Sequence, residues 1–345
     1  MASEAEIAVW AITPNGAALA SKIAAGIPRA EVYVAQKIAG PAEVRRFDSL
    51  AQAVAECFQR YTGHVFIMAT GIVVRTVAPL MVHKTQDPAV VVTDDRGQFA
   101  ISLLSGHLGG ANKLAEQVAA AIGAQPVITT ATDVNAVPAI DVLAQEAGMA
   151  IENPQAIKTV NMALLTGAAV EVHDPFGLLP NRIPNARAVG PGGPFVARIF
   201  VDDRLLDAPP GALVLRPPSL VAGIGCNRGT AEDEIRGLLL VTLLDAGLCR
   251  ESLRGLASID LKADEPGLIA LAQELGLPLE FFGREAINRV GDAVQTPSAM
   301  VEKHIGVKSV CEATAILAAH GGELIVPKRT TRNATVAIAR VNFTS

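Results

Sequence analysis

FAISLLSGHLGGANKLAEQ, Phe99 to Gln117, is the stretch whose reading decides the fold. FAISLL is an apolar run of strand length. From Ala111 onward, Leu114, Val118, Ala121 and Ile122 recur at the spacing of one buried helical face. Between them lie Ser105, Gly106, His107, Gly109 and Gly110. A strand, a glycine loop and a helix in this order make one βα unit of an α/β protein. Glycines let a backbone approach a ligand closely, and a helix start offers unpaired N–H groups and partial positive charge. That suits an anion or a developing oxyanion, and a titratable imidazole among such donors is a candidate catalytic group. A plain glycine turn beside a half-exposed histidine fits the same residues.

Outward from this stretch the alternation continues. Ile7–Ile12, Glu31–Gln36, His64–Thr70, Ala89–Asp94 and Pro126–Thr130 read as strands. Ala17–Ala25 and Leu50–Tyr61 read as helices, TPNG as a turn, and IVVRTVAPL as the opening of a further helix. The pattern predicts a doubly wound α/β domain over residues 1–133. Residues 134–217 change character: two helices (Val137–Ala147, Pro154–Leu165), a few extended runs and the turn-rich LLPNRIPN and VGPGGPF. This is a small mixed middle segment with a linking role. Pro217 and Pro218 close it. Residues 218–345 restart the rhythm, with strands Leu220–Gly225, Leu256–Asp260 and Asn333–Val341. The expected fold class is therefore α/β, with two doubly wound three-layer α/β/α domains joined by that middle segment.

Composition narrows the function. The 345 residues are half hydrophobic and 18% charged, with net charge −5, as a globular chain with a sizeable core requires. A general nucleic-acid or membrane-surface binder would be basic. Ten Phe, two Tyr and one Trp are too few for a base-stacking platform. Cys57, Cys226, Cys249 and Cys311 stand far apart without a CxxC, which reads as reduced thiols in a cytoplasmic protein. The N-terminus lacks a signal-peptide pattern and no run suits a membrane span. The histidine spacings hold no zinc motif, so no metal site is expected.

Further polar groups gather at predicted strand ends. Gly223-Ile-Gly225-Cys-Asn-Arg-Gly229 is one residue too long for a dinucleotide fingerprint, and Asp245 falls at a helix end. No phosphate-binding P-loop motif occurs. The loop still places Gly225, Cys226, Asn227, Arg228 and Thr230 at a strand's carboxyl end, and Arg228 could hold a carboxylate in two-point contact. A free cysteine such as Cys226 also fits as a small core hydrophobe. Thr230 reads as a helix N-cap, and Ser309 with Glu312 as a capping box for a helix over Val310–His320. Asp260 and Lys262 follow one strand; Thr70, Gly71, Arg75, Lys84 and Asp87 surround another strand end and its loop. Each singly also reads as surface charge.

The motifs carry a resemblance. ATGIVVRTVAPL, HKTQDPAVVVTDDRGQFAISLLSGHLGGANKLA and PVITTATD resemble the N-terminal part of the cobalt-precorrin-5A hydrolase (CbiG) family. VAGIGCNRGTAEDEI, LASIDLKADEPGL, GVKSVCEATAILAA and ATVAIAR resemble its C-terminal domain, which is also similar to the stand-alone CobE proteins. The match runs in order through nearly the whole chain; residues 134–216 agree in position and size more than in motif.

The resemblance implies a hydrolase of cobalamin (vitamin B12) biosynthesis. Its substrate, cobalt-precorrin-5A, is a cobalt-bearing tetrapyrrole on the way to the corrin ring, with many carboxylates and a δ-lactone. Water opens the lactone, acetaldehyde leaves, and cobalt-precorrin-5B results. No cofactor is implied, since cobalt arrives in the substrate. Partners are the substrate and, transiently, neighbouring pathway enzymes, with no nucleic acid or membrane, the chain being a monomer or homodimer. In this scheme His107 is the general base and amides around Gly109 and Gly110 hold the oxyanion, with Asn112 as a further donor. Lys113 or Arg228 would grip peripheral carboxylates, and Cys226 is the alternative nucleophile. Thr70, Gly71, Arg75, Lys84, Asp87, Ser105, Gly106, Gly109, Gly110, Gly225, Cys226, Arg228, Thr230, Asp260, Lys262, Ser309 and Glu312 are the expected substrate contacts. Two other classes fit parts of the sequence: a non-catalytic tetrapyrrole carrier or chaperone, and a nucleotide-dependent enzyme.

Overall fold

The computed structural model describes residues 6–38, 43–83, 86–179, 182–184, 186–188 and 197–343. The chain divides into two units, Met1–Val142 and Leu143–Ser345. The first contains β1 (Ile7–Ala11), α1 (Pro14–Gly26), β2 (Ala30–Ala35), β3 (Arg45–Phe47), α2 (Leu50–Cys57), β4 (Gly63–Ile67) and α3 (Thr70–Val77). There follow β5 (Ala89–Thr93), β6 (Phe99–Leu104), α4 (Ala111–Ile122), β7 (Gln125–Val127) and α5 (Ala131–Val134), and α6 (Ile140–Glu146) runs on into the second unit. The sheet order is β3-β2-β1-β4-β5-β6-β7. α1 and α4 bury Ala17, Ala20, Ile23, Leu114, Ala115 and Val118 on one face. α2 and α3 cover the other through Val54, Cys57, Val73 and Val77. This is the doubly wound, three-layer arrangement expected. TPNG is the start of α1, not a separate turn: the Thr13 hydroxyl accepts from the Gly16 amide at 2.9 Å, and Pro14 is at the first helical position, where its missing N–H costs nothing.

Strand direction decides where the site lies. β1, β2, β4 and β5 are parallel, but β6 is antiparallel to β5, pairing Val90 with Leu104 and Thr93 with Ala100. β7 runs parallel to β6. The loops after β6 and β7 therefore lie at the edge where β4 and β5 begin. Thr70 and Gly71, which follow β4, lie at the opposite edge.

The second unit holds two sheets. The middle segment is more regular than its turn-rich sequence suggests. It contains β8 (Ala150–Ile151), α7 (Ile157–Leu165), β9 (Val170–His173), β10 (Ala186–Ala188), β11 (Ala197–Val201) and β12 (Leu213–Arg216), in the sheet order β10-β9-β11-β12-β8. VGPGGPF falls outside the described residues. The last part contains β13 (Leu220–Cys226), α8 (Glu232–Asp245), β14 (Leu253–Ile259), α9 (Pro266–Leu275), β15 (Leu279–Phe282), α10 (Arg284–Arg289), α11 (Ala299–Ile305), α12 (Cys311–Ala318), β16 (Glu323–Thr330) and β17 (Ala334–Arg340). Its sheet order is β15-β14-β13-β17-β16, again three-layered. α8 and α9 cover one face with Ile235, Leu239, Leu268 and Leu271, and α12 covers the other with Ala315, Ala318 and Ala319. α12 lies so close to β13 that a Cβ on Gly223 would sit 1.8 Å from the Cys311 carbonyl oxygen, so only glycine fits there. The two sheets of this unit are tied by a buried pair: Arg340 donates from Nε and Nη2 to Asp203 at 2.7 and 2.9 Å, and Ser219 Oγ adds a bond of 2.7 Å.

Candidate active site

The β6–α4 loop is shaped by contacts within itself. Ser105 takes a positive φ of 59°, a strained choice for serine, and its buried hydroxyl has no hydrogen-bond partner among the described residues. A Cβ on Gly109 would lie 2.3 Å from Ser105 Cβ and 2.9 Å from its carbonyl oxygen, so glycine is required at 109. The Gly110 amide donates to the His107 carbonyl at 2.8 Å, and the Ala111 and Asn112 amides donate to the Ser105 and Gly106 carbonyls at 3.0 Å. The expected oxyanion donors at the start of α4 are thus largely spent on closing the loop. Among the described residues the Gly109 amide makes no such bond.

His107 meets carboxylates through both ring nitrogens. Nε2 lies 3.0 Å from Asp133 Oδ2 and 3.0 Å from Thr132 Oγ1, and Nδ1 lies 3.3 Å from Asp141 Oδ2. The imidazole side chain is 18% exposed, that of Asp141 8% and that of Asp133 41%. The bond to Asp141, opposed by burial and reinforced by Asp133, raises the His107 pKa above its ordinary value. Burial alone would raise Asp133; hydrogen bonds from Thr130 and His107 outweigh it and hold that carboxyl below its usual range. His64 shows the opposite case. It is fully buried beside Trp10, whose Nε1 donates to His64 Nδ1 at 3.1 Å, and desolvation pushes its pKa down to about 4. His64 and His107 are thus separated into a core group whose pKa is lowered and a site group whose pKa is raised.

Asn112 is a brace more than a free donor. Its side chain is buried; Oδ1 accepts from Ser102 Oγ at 2.7 Å, while Nδ2 donates to Thr130 Oγ1 at 2.9 Å and Asp133 at 3.2 Å. The oxyanion role expected for it is therefore already displaced by its structural bonds. Lys113 is exposed on α4 and has no charged partner among the described residues. Asp87 is buried and accepts the Val82 amide at 2.9 Å, and its carbonyl would lie 3.2 Å from a Cβ on Gly109, so it belongs to the wall of this loop. Thr70, Gly71 and Arg75 do not join it. They lie at the opposite sheet edge, where Arg75 Nη1 donates to the Gly71 carbonyl at 3.0 Å. Lys84 lies outside the described residues.

The β13–α8 loop forms a different site. A cavity of about 280 Å³ is lined by Gly225, Cys226, Lys262, Ser309, Lys328 and Asn333, among others. Two of its cations already have partners: Lys262 Nζ lies 3.4 Å from buried Glu265, and Lys328 Nζ donates to the Thr296 carbonyl at 2.7 Å. Burial pushes the Cys226 thiol up despite Lys262, so at neutral pH it is a thiol and a poor nucleophile. Arg228 reaches away from the cavity to Asp264 and the Leu261 carbonyl. Asp260 is exposed and outside the lining. Thr230 does not cap α8, whose N-cap is Ala231; its hydroxyl donates to the Asn227 carbonyl at 2.8 Å. The expected Ser309–Glu312 capping box is also absent. Glu312 is fully buried and accepts the amides of Gln295, Thr296 and Lys328 at 2.8, 2.9 and 2.8 Å, stitching β16 to the segment before α11. A pattern of Ser and Glu three apart does not say which amides the carboxylate will find.

Three family descriptions match in chain order: Cobalamin synthesis G N-terminal over residues 52–133, Cobalamin biosynthesis central region over 138–217, and Cobalamin synthesis G C-terminus over 220–339. The chain belongs to the cobalamin synthesis G family. It is 37% identical to the cobalt-precorrin-5A hydrolase of Salmonella typhimurium, covering 91% of this chain and 92% of that one. It is 30% identical to the enzyme of the same name from Priestia megaterium, covering 98% and 96%. Its C-terminal part is 36% identical to the protein CobE of Sinorhizobium sp., covering 35% of this chain and 79% of that one.

Sequence reasoning singled out His107 and missed the groups that surround it. Ser102, Thr130, Thr132, Asp133 and Asp141 come from β6, the β7–α5 connection, α5 and α6. Thr130, Thr132 and Asp133 were visible inside PVITTATD, a stretch whose density of short polar side chains at a strand end was the available signal. Asp141 sits in the first turn of α6, where an acidic residue is ordinary dipole chemistry. Nothing local marks it. Among the described residues no three His, Cys, Asp or Glu side chains form a metal-holding group.

Proposed function

We propose that this chain opens the δ-lactone of cobalt-precorrin-5A with water and releases acetaldehyde, giving cobalt-precorrin-5B. The observation that carries this reading is a family match spanning all three parts of the chain, with the SGHLGGAN loop folding into a histidine–carboxylate cluster at a strand–helix junction. Proton transfer is what such a cluster can supply, and lactone opening followed by a retro-aldol-like cleavage needs it at each step. The free Gly109 amide is the donor best placed in the loop for the oxyanion. Lys113 would grip a peripheral carboxylate. Cobalt enters and leaves as part of the substrate. Four separate free thiols support the cytoplasm as the setting.

The deciding experiment is incubation of the purified chain with cobalt-precorrin-5A, with acetaldehyde trapped and the macrocycle weighed by mass spectrometry. Equal amounts of acetaldehyde and cobalt-precorrin-5B are expected. Tight binding with no acetaldehyde would instead make the chain a carrier.

A further inference from the structure

We propose that His107 works as an imidazolium proton donor, fixed by Asp141 as a positioning residue, while Asp133 accepts the proton of the attacking water. This rests on the hydrolase reading above. It replaces the expectation that the histidine is the base.

The argument is one of donors and acceptors. A neutral imidazole has one N–H and one lone pair. Here each ring nitrogen faces a carboxylate oxygen, at 3.0 Å from Asp133 and 3.3 Å from Asp141. An ionised carboxylate can only accept. A neutral ring would therefore set a lone pair against a carboxylate on one side; the imidazolium donates on both. The groups facing the ring are Asp133 and Thr132 from α5 and Asp141 from α6, and no cation is paired with it among the described residues. The raised His107 pKa agrees with this arrangement.

The two carboxylates differ in access. Asp141 is 8% exposed and points at Nδ1, so it orients the ring and holds its charge. Asp133 is 41% exposed, braced by Asn112 and Thr130, and is the one that solvent reaches. As water oxygen bonds to the lactone carbonyl carbon, its proton passes to Asp133. As the acyl C–O bond breaks, the departing alkoxide takes the Nε2 proton of His107. The proton on Asp133 then crosses the 3.0 Å contact to His107 and restores both groups. In the second stage the new hydroxyl gives its proton to Asp133, the C–C bond breaks with its electron pair entering the macrocycle, acetaldehyde leaves, and solvent-exposed Asp133 returns its proton to water.

The test reads the ring directly. Protein labelled with ¹⁵N-histidine is titrated by NMR without substrate, the His107 signal being the one lost in His107→Ala. The wild-type ring is expected to titrate above the ordinary imidazole value of about 6.5. Asp141→Asn should lower that midpoint by about one unit or more and reduce kcat at pH 8 about tenfold or more, with KM within about twofold. Asp141→Glu should restore part of both. Should Asp141→Asn not fold, Asp133→Asn at the exposed position must also lower the midpoint and reduce kcat about a hundredfold or more. A wild-type His107 titrating at or below about 6.5 would overturn the proposal, as would a midpoint unmoved by either variant. A chain that makes acetaldehyde with a neutral His107 refutes this inference alone. A chain that makes none refutes the hydrolase reading, whatever the titration shows.

Discussion

The β6–α4 loop and the β13–α8 loop have the same plan, a strand running through glycines into a helix, yet they present different chemistry. The first brings His107, Asp133 and Asp141 together with unequal exposure and pKa values moved in opposite directions. The second surrounds a cavity whose lysines are already occupied and whose cysteine is held as a thiol. Separated acid and base groups are what proton transfer requires. Lysines held by a carboxylate and a carbonyl beside a cavity are suited to exchanging one acceptor for another, which is binding. The difference teaches that glycine-loop geometry sets only access; what the neighbouring elements contribute sets the chemistry.

The largest effect that would break this comparison is at His107. His107→Ala should reduce the rate of acetaldehyde release by about 100- to 10,000-fold, with substrate affinity by titration little changed. Near-normal turnover would remove this residue from the chemistry. Next comes Gly109→Ala. The added methyl meets Ser105 on two sides, so the loop must shift; a loss of about 3 kcal/mol in denaturant unfolding is expected, together with most of the activity.

Glu312 tests whether the second loop's surroundings are architectural. Burial would raise its pKa, but the amides of Lys328, Thr296 and Gln295 and the Thr296 hydroxyl outweigh this and hold it below the ordinary value. A depressed folded-state pKa means stability that is full above the unfolded value of about 4.5 and is lost as pH falls through the folded one. Glu312→Gln should cost roughly 2 kcal/mol at pH 7 and flatten the acid limb of the unfolding curve. An unchanged acid limb would show that the carboxylate is not what holds β16 there. The smallest effect is at Cys226. Cys226→Ser should leave turnover within about twofold, since a protonated thiol lining a cavity performs no covalent step. A loss of several hundredfold would restore it as a nucleophile and erase the contrast between the loops.

Much of the fold was legible because it follows from local periodicity. The buried face of α4 at Leu114 and Val118 and the apolar runs of β4, β5 and β13 lie where the spacing put them. The first turn of α1 was misread as loop because Pro14 and Gly16 look like turn residues until the Thr13 cap is seen. The middle sheet was less legible, since its strands are short and its connections rich in proline and glycine. In the site, His107 and its glycines were readable. The separation of Thr70, Gly71 and Arg75 from Asp87 was not, because the chain leaves the end of β4 and reaches Asp87 at the start of the parallel β5, on the other edge, and the antiparallel β6 brings the glycine loop to that same edge.

By itself, then, the sequence determined that a histidine would sit in a glycine loop between a strand and a helix, and which family the motifs resemble. Only the tertiary structure decided what that histidine faces. Asp133 and Asp141 lie 26 and 34 positions further along the chain, reached through a crossover helix, a short strand and a turn. Local sequence fixes a group's intrinsic pKa. The protonation state at a site is set by the donors, acceptors and solvent within a few ångströms, and those are chosen by the packing of distant elements.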